Sequence, residues 1–269
     1  MTTQEIMQLA LDLVGFNEIP CDSDIYFEGN NIMKIAIGID MGVPEILFAK
    51  QLGCDCVIAH HPQGNHAVID FAPIILKHIN LMVNAGTPKD VAEKAVRNLY
   101  QKSMISNHMR NYDHNPSLAR ILKMPYMNIH NPCDELGRRI MQAQIDKSLK
   151  PDSTVADVIH TLMELPEFQQ TLTKIELRMG KLTNRSGKVV VAHGCGTNGG
   201  YEVANAYYDY GISTVIYIHI EYSELTKLQA ENKGNLIISG HIVSDLVGIN
   251  PFIRELEKRG MEIIRMSGL

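Results

Sequence analysis

Apolar and polar residues recur along the first half of the chain at two different spacings. A short β-branched run at 34–40 is typical of a buried strand. Residues 41–53 then repeat apolar positions at helical spacing, and 54–62, CDCVIAHHP, return as a second buried strand. A strand, a helix and a strand joined by short connections predict a βαβ unit, in which the two strands are parallel.

The same order recurs from Gly187. A strand, KVVVAHGCG, leads into a glycine turn, a helix follows, and ISTVIYIHI is a strand that ends with His219. NLIISG adds a strand, a helix continues past Pro251, and MEIIRMSGL closes as a strand. The segments between the halves read as helices at 72–84, 88–106, 133–149 and 154–171, and as strands at 125–130 and 174–180. We therefore expect an α/β fold of two related α/β lobes with mixed, partly parallel sheets and a helical middle segment. The lobes, which we expect to be interlocked, are placed at 1–125 and 126–269.

Composition narrows the class of protein. The 269 residues are 45% apolar and 20% charged, and the net charge of −5 gives no basic surface for nucleic acid or an anionic membrane. Thr2 and Glu5 have capping-box spacing, and the start lacks basic residues, so the N-terminus predicts a helix rather than a signal peptide. No apolar stretch approaches the roughly 20 residues that span a bilayer. Five cysteines without a C-x-x-C pair favour reduced thiols and a cytoplasmic protein.

Two adjacent histidines, His60 and His61, follow the second predicted strand. Neighbouring side chains of a strand point to opposite faces, so both can reach one ion only if the strand ends there, as Pro62 favours. Otherwise each serves a different ion of a close pair. Ligands of open α/β sheets bind at the C-terminal ends of the strands, where this pair lies. The alternative is a pair that makes ordinary surface hydrogen bonds.

A second cluster consists of His241 and Asp245, four residues apart at the start of a predicted helix. That spacing puts both side chains on one face, where they can share an ion. The alternative is an acid favoured by the helix dipole and a simple histidine–aspartate hydrogen bond. Each cluster is a weak signal alone, but both follow predicted strands, and together they favour a metal site.

A polar loop supplies further candidates: His108, Asp113 and His114, ahead of a helix expected to begin near Asn115. By itself this loop reads as an ordinary solvated segment, although it offers the carboxylate that the histidine clusters need. Asp40, at the mouth of the first predicted strand, is another carboxylate candidate, and it could equally cap a turn.

The glycine-rich turn at 194–202, GCGTNGGYE, could offer backbone N–H groups to an anion. It lacks the lysine of a P-loop and the spacing of a dinucleotide fingerprint, so a tight turn explains it equally well. His193, His219 and Glu221 could line the same cavity, although a lone histidine in an apolar strand is more often structural. His130 is a further candidate, while the two acids four and five positions after it fit the start of a helix.

In this order the motifs resemble those of the NGG-one-interacting-factor-three family. The shared features are HHP after a buried strand, an H-to-D loop before a helix, a glycine-rich turn near two-thirds of the chain and a late G-H-x-x-x-acid motif. The resemblance runs from about Lys34 to the C-terminus. Members of the family are dinuclear metal-centre proteins, often labelled GTP cyclohydrolase I type-two homologues. The resemblance to this family implies a ring-shaped homo-oligomer with its sites facing inward.

The resemblance also implies two divalent metal ions. Carried across residue by residue, the ligands are His60, His61, Asp113, His241 and Asp245. The loop HMRNYD is one residue longer than the family's H-T-N-L-D, so His108 or His114 could replace Asp113. Asp245 stands where the family has glutamate and has a shorter arm, and His66 in QGNH is an additional pocket candidate. Mixed histidine and carboxylate ligation suits zinc, iron or manganese.

The main functional hypothesis is a metal-dependent hydrolase of a small phosphorylated or nucleotide-like molecule. In it His193 or His130 donates a proton, and the glycine turn receives an anionic group of the substrate. The alternative is a non-enzymatic metal-binding carrier or an oligomeric adaptor protein. In a third interpretation the histidines are structural and no metal binds.

Overall fold

The N-terminal capping box forms as its sequence predicts. The Thr2 hydroxyl accepts from the Glu5 backbone N–H at 3.1 Å, and the Glu5 carboxylate accepts from the Thr2 N–H at 2.8 Å. Helix α1 (Thr3–Val14) therefore begins with its first N–H groups satisfied, and it ends at Gly15 in the left-handed region, with φ of 68°. The computed structural model describes residues 1–269.

The remaining elements alternate strands and helices. The strands are β1 (Asp24–Phe27), β2 (Lys34–Gly38), β3 (Cys56–Ala59), β4 (Tyr126–Asn128), β5 (Glu176–Met179), β6 (Val189–Val191), β7 (Thr214–Tyr217), β8 (Asn235–Ile238) and β9 (Glu262–Arg265). The helices are α2 (Val43–Gln51), α3 (Asn65–Ile69), α4 (Lys77–Ala85, after a 3₁₀ turn at Ala72–Leu76), α5 (Lys89–His108), α6 (His114–Leu122), α7 (Asn131–Ser148), α8 (Val155–Met163), α9 (Pro166–Gln169), α10 (Gly200–Asp209), α11 (Tyr222–Glu231) and α12 (His241–Lys258).

Two units make up the chain, and neither is continuous in sequence. Unit 1 comprises Met1–Ile74, Ser103–Leu136 and Gly248–Leu269, and unit 2 comprises Ile75–Lys102 and Gly137–Val247. This division differs from the expected boundary between 125 and 126. The pairing of β9 with β2 returns the C-terminus to unit 1, and the segment Ile75–Lys102 belongs to unit 2.

The sheet of unit 1 has the strand order β1-β4-β3-β2-β9. β4, β3, β2 and β9 are parallel, and β1 is antiparallel to β4 with a register shift between Ile25 and Phe27. Buried side chains of β2, α2, β3 and α6 form its core with the rings of Tyr26 and Tyr126, which contact each other at a tilt of 47°. The parallel strands β2, β3 and β4 therefore end at the same edge of the sheet.

The sheet of unit 2 repeats this topology, with the order β5-β8-β7-β6. β8, β7 and β6 are parallel, and β5 is antiparallel to β8 with a register shift between Leu177 and Met179. Its core packs α7, α8 and α12 on β6, β7 and β8, through residues such as Met141, Val158 and Val243. The expected α/β fold of two related lobes with mixed, partly parallel sheets is confirmed.

Three elements were not expected from the sequence, and all are short or weakly patterned. β1 is a four-residue edge strand with a register shift, α3 has five residues, and α11 is a largely exposed helix in which Leu228 is the buried residue. The segment predicted as one helix at 154–171 is two, because Pro166 begins a new short helix, α9. Pro251 lies inside α12, as predicted.

Candidate metal centre

In unit 1, three neighbouring parallel strands present polar side chains at their C-terminal ends. Asp40, His61 and His130 each lie two residues beyond the last residue of β2, β3 and β4, respectively, and His60 directly follows β3. The expectation that the strand breaks at the histidine pair is met, since β3 ends at Ala59. These side chains therefore meet at one edge of the sheet.

Acceptor groups orient both histidines of the pair through Nδ1. His60 Nδ1 lies 3.1 Å from the carbonyl oxygen of Ile129, and His61 Nδ1 lies 2.8 Å from a carboxylate oxygen of Asp40. A carbonyl and a carboxylate can only accept, so Nδ1 carries a proton in each ring, and in the neutral ring Nε2 carries the lone pair. Histidines that ligate a metal are held by such second contacts in the same way.

His130 is held in the same manner and brings a carboxylate with it. Its Nδ1–H donates to Asp22 at 2.7 Å, and its backbone N–H donates to the Ser23 hydroxyl at 3.0 Å. Asp134, one helical turn later on α7, places one oxygen 3.1 Å from His60 Nε2 and the other 3.6 Å from His130 Nε2. His60, His130 and Asp134 are all buried, with at most 7% of each residue exposed.

These distances fit a divalent cation. Bonds of about 2.0–2.2 Å to nitrogen and oxygen place two ligands of one ion roughly 3–3.5 Å apart. The contacts of Asp134 with the two imidazoles, at 3.1 and 3.6 Å, fall close to that range, and the ligand atoms of His60, His61 and His130 lie within 4.8 Å of one another. Nitrogen lone pairs that face a buried carboxylate are favourable only with a cation, a proton or a metal ion, between them.

Unit 2 presents a related set at the ends of β6, β7 and β8. His193 and His219 each lie two residues beyond β6 and β7, and His241 begins α12 after β8. Asp245, one turn into α12, places one oxygen 3.5 Å from His241 Nε2 and the other 3.9 Å from His193 Nε2. Asp245 and His193 are buried, and the rings of His219 and His241 lie 4.8 Å apart between centroids. The structure thus brings the predicted pair His241 and Asp245 together on one helix face.

The two sets share one sequence pattern. His130 and Asp134 follow β4 with the spacing H-x-x-x-D, and His241 and Asp245 follow β8 with the same spacing. β4 and β8 occupy equivalent places in the two sheets, each between an antiparallel edge strand and a parallel neighbour. Asp134, which sequence reasoning took as a helix start, could have been found by comparing these two spacings.

Two backbone amides at the end of the glycine turn are used by the protein itself. The Asn198 side-chain oxygen accepts from the Gly200 N–H at 2.9 Å, and the Glu224 carboxylate accepts from the Tyr201 N–H at 2.9 Å. The first N–H groups of α10 are therefore satisfied by side chains. These two amides are engaged within the protein, and the role of the turn as an acceptor of an anionic substrate group stays a prediction.

The loop candidates lie outside the two sets. Asp113 is the residue before α6 and its carboxylate pairs with Arg120, and His108 and His114 are exposed. α6 begins at His114, one residue earlier than its expected N-cap. His66 is exposed, and an aspartate one turn later on its Nδ1 raises its pKa. Asp113 as a metal ligand stays a prediction, and Asp134 is the carboxylate that the structure places against the histidines of unit 1.

Three of the five cysteines are poor thiolate ligands or nucleophiles at neutral pH. No disulfide joins the five, and burial raises the pKa of Cys21 to about 11 and the pKa values of Cys54 and Cys56 above the ordinary value. The side chains that meet in the two sets offer histidine nitrogen and carboxylate oxygen, the mixed ligation that suits zinc, iron and manganese.

Comparison with known proteins identifies the family. No protein-family model matches the chain, and no curated protein matches it. A crystal structure of a NIF3 superfamily protein from Sphaerobacter thermophilus is 46% identical, with a TM-score of 0.98, over 100% of this chain and 99% of that one. The chain belongs to the NIF3 superfamily. The family resemblance of its motifs is thereby confirmed.

More distant NIF3-related structures share the fold. Reduced HcgD from Methanocaldococcus jannaschii has a TM-score of 0.62 at 13% identity, over 98% of this chain and 97% of that one. A Bacillus cereus protein related to NIF3 has a TM-score of 0.55 at 11% identity, over 100% and 97%. NIF3 membership and the buried histidine–aspartate sets fit a metal-binding protein. None of its helices has the length and apolar character needed to cross a membrane.

Proposed function

We propose that this NIF3 superfamily member binds two divalent metal ions, one through the set of each unit, and acts as a metal-dependent hydrolase of a small phosphorylated or nucleotide-like molecule. The observation that carries the proposal is the repeated H-x-x-x-D pair after equivalent strands, each pair meeting another buried histidine. Such a repeat supplies two nitrogen- and oxygen-rich sets of the kind that zinc, iron(II) and manganese accept.

The proposed ligands differ in part from those that the family resemblance implies. The set of unit 1 is His60, His61, His130 and Asp134, and the set of unit 2 is His193, His241 and Asp245. His130 and His193, expected as proton donors, become ligands here, because each has Nε2 within 4 Å of a buried carboxylate oxygen. Asp134 takes the place of Asp113, whose carboxylate pairs with Arg120.

The chain's own residues prepare these sets. Asp22 and Asp40 hold the rings of His130 and His61 through Nδ1, which keeps each Nε2 lone pair directed toward an ion. A bound divalent ion would supply a water whose pKa falls to about 7, and a charge that stabilises the leaving oxygen of a phosphoester. Burial of His60 and Asp134 excludes bulk water from the ligand atoms.

Metal content tests the first half of the proposal. Protein purified without chelator or affinity tag, then loaded separately with zinc, iron(II) or manganese, is analysed by inductively coupled plasma mass spectrometry. We expect two ions per chain in the parent and about one in Asp134→Asn and in Asp245→Asn, because each variant removes the carboxylate of one set. Asp113→Asn is the matched control and should retain two ions. A full complement of metal in Asp134→Asn, or loss of an ion in Asp113→Asn, would overturn the ligand assignment.

Activity tests the second half. The loaded parent is screened against phosphomonoesters, phosphodiesters and nucleotides, beside the chelator-treated protein and the two aspartate variants. Hydrolysis that follows metal content through these samples supports the hydrolase. A loaded protein that hydrolyses none of them and gives up its metal to a competing chelator within minutes would instead support a metal carrier.

Assembly and location belong to the same proposal. We propose a homo-oligomer, in ring form, in the cytoplasm; the family resemblance supports the assembly, and five cysteines without a disulfide support a reducing compartment. Light scattering after size-exclusion chromatography gives the mass directly. A mass of 30.1 kDa at micromolar concentration would show a monomer and contradict the assembly.

A further inference from the structure

His219 holds the same place in unit 2 that His61 holds in unit 1. Each lies two residues beyond the end of a parallel strand, β7 or β3, and these strands have equivalent positions in the two sheets. The partner of each Nδ1 atom comes from the connection after the preceding strand: Asp40 after β2 for His61, and Asn198 after β6 for His219. The two histidines therefore differ chiefly in what faces Nδ1.

The amide of Asn198 faces His219 with its nitrogen. The Asn198 side-chain oxygen accepts the Gly200 N–H at 2.9 Å, so the amide is not free to turn over, and its NH₂ group lies 3.0 Å from His219 Nδ1. An NH₂ group can only donate, so Nδ1 of His219 must accept. Asn198 is itself buried, with 8% of the residue exposed.

This contact fixes where the ring carries its proton. A neutral imidazole whose Nδ1 accepts carries its proton on Nε2, and a protonated ring carries protons on both nitrogens. Nε2 of His219 therefore has a hydrogen in either state, and it offers no lone pair to a metal ion. His61 is the opposite case, because a carboxylate holds its Nδ1–H, and the lone pair of the neutral ring is then on Nε2.

The turn that carries Asn198 is held rigidly. The buried His78 donates from Nε2 to the Thr197 carbonyl at 3.0 Å, and the Tyr217 hydroxyl donates to the Gly200 carbonyl at 3.0 Å. A side chain at Gly199 would place its Cβ 2.4 Å from Val203 Cβ, so this position accepts only glycine without a shift of its neighbours. The glycine turn thus has a role that does not involve phosphate: it fixes the donor that sets the tautomer of His219.

We propose that His219 is a hydrogen-bond donor, through Nε2–H, to an oxygen atom of the small molecule that the metal set of unit 2 receives, and that it is not a metal ligand. The inference rests on the proposed function for the molecule received. The ring is only partly buried and lies beside His241, with 4.8 Å between ring centroids, so it stands next to the proposed ligands. A phosphoryl or a carbonyl oxygen is the acceptor chemistry that such a donor selects.

The tautomer is measured first, in metal-free protein. Long-range proton–nitrogen correlation spectra of ¹⁵N-histidine protein distinguish Nδ1–H from Nε2–H, and the signal absent in His219→Gln assigns the residue. We expect Nε2–H in the parent, and Nδ1–H in Asn198→Asp, whose carboxylate accepts where the amide donated. Nδ1–H in the parent would overturn the inference. Because no metal is present, this result stands apart from the proposed function.

Binding is measured second, with inorganic phosphate and acetate as separate probes on zinc-loaded protein. We expect an unchanged zinc content in His219→Ala and His219→Gln, and retention of the Nε2–H signal in the loaded parent. Phosphate or acetate affinity should fall about tenfold in His219→Ala, the effect of one lost hydrogen bond, and should be largely retained in His219→Gln, which keeps an N–H donor. Comparing the two probes distinguishes a phosphoryl from a carboxyl acceptor.

Each alternative outcome is distinct. Loss of an ion in both His219 variants, or loss of the Nε2–H signal on zinc loading, would make His219 a ligand and overturn the inference. Equal anion affinity in the parent and in His219→Ala would also overturn it, provided that circular dichroism shows both folded. A parent that binds no zinc would refute the proposed function and leave the tautomer result intact.

Discussion

Replacing His78 by glutamine should remove a defined part of the acid sensitivity of this protein. His78 is fully buried on α4, and burial lowers the pKa of its imidazole from 6.5 to about 4. The folded protein therefore keeps this ring neutral over a range in which the unfolded chain takes up a proton. Glutamine can donate to the same Thr197 carbonyl but has no proton to gain.

The sign and size of the effect follow from this shift. Because the unfolded state binds more protons below pH 6.5, the free energy of unfolding falls as the pH falls from 6.5 toward 4. Between pH 7 and pH 5 the loss due to His78 is about 2 kcal/mol, at roughly 1.4 kcal/mol per pKa unit, and it approaches about 3 kcal/mol at pH 4. In His78→Gln this loss is absent.

Urea unfolding followed by circular dichroism measures it, since the chain has no tryptophan. Parent and variant are compared at pH 7, 6 and 5 after chelator treatment, so that metal dissociation does not contribute to the pH dependence. Between pH 7 and pH 5 the free energy of unfolding should fall by about 2 kcal/mol less in the variant than in the parent, in the transition that unfolds unit 2. Parallel pH profiles for the two proteins would refute the assignment of a buried, neutral His78.

Three further substitutions test the structure. Gln142 accepts from the Val191 N–H at 2.9 Å and donates to the Val189 carbonyl at 3.2 Å, so it covers the edge strand β6. Gln142→Ala should cost about 1–3 kcal/mol in urea unfolding and increase aggregation, Gln142→Glu should cost less, and an unchanged midpoint in the alanine variant would contradict this role. Gly199→Ala should cost about 1–3 kcal/mol through overpacking, and a stable variant would show that the turn can yield. His66→Ala should leave the metal content unchanged, because the His66 ring is exposed and its Nδ1 contacts Asp70. Loss of an ion in this variant would make His66 a ligand.

Local patterns predicted most of the fold. The β-branched runs at β2, β3, β7 and β8 and the capping box of α1 carry their signals within a few residues, and each formed where expected. The return of β9 to the sheet of unit 1 is a pairing of Lys34 with Glu262, more than 200 residues apart, and no local pattern encodes it. The boundary between the units depends on such distant pairings, and for that reason the boundary expected from the sequence differs from the observed division.

The candidate site likewise contains residues marked by a local sequence pattern and residues that only the folded sheet brings together. His60 and His61 lie at the end of a strand, and His241 and Asp245 lie one turn apart on a helix, so local spacing alone made them candidates. Asp134 was judged a helix start because acids are common in a first turn, and its contact with His60 at 3.1 Å exists only because β3 and β4 are neighbours in the sheet.

The repeated topology gives the chemistry of the site a simple origin. Both units place a histidine two residues after the central strand and orient it from the preceding connection, so one polar side chain decides what that histidine can do. A carboxylate at Asp40 holds the Nδ1–H of His61, so the lone pair of the neutral ring is on Nε2, whereas the amide of Asn198 leaves His219 a proton there. The backbone positions of the two histidines are equivalent, but His61 is proposed as a metal ligand and His219 as a hydrogen-bond donor. If each unit holds one ion, unit 1 is then equipped chiefly to bind it, and unit 2 is equipped to bind an ion and also to recognise an oxygen atom of the molecule beside it.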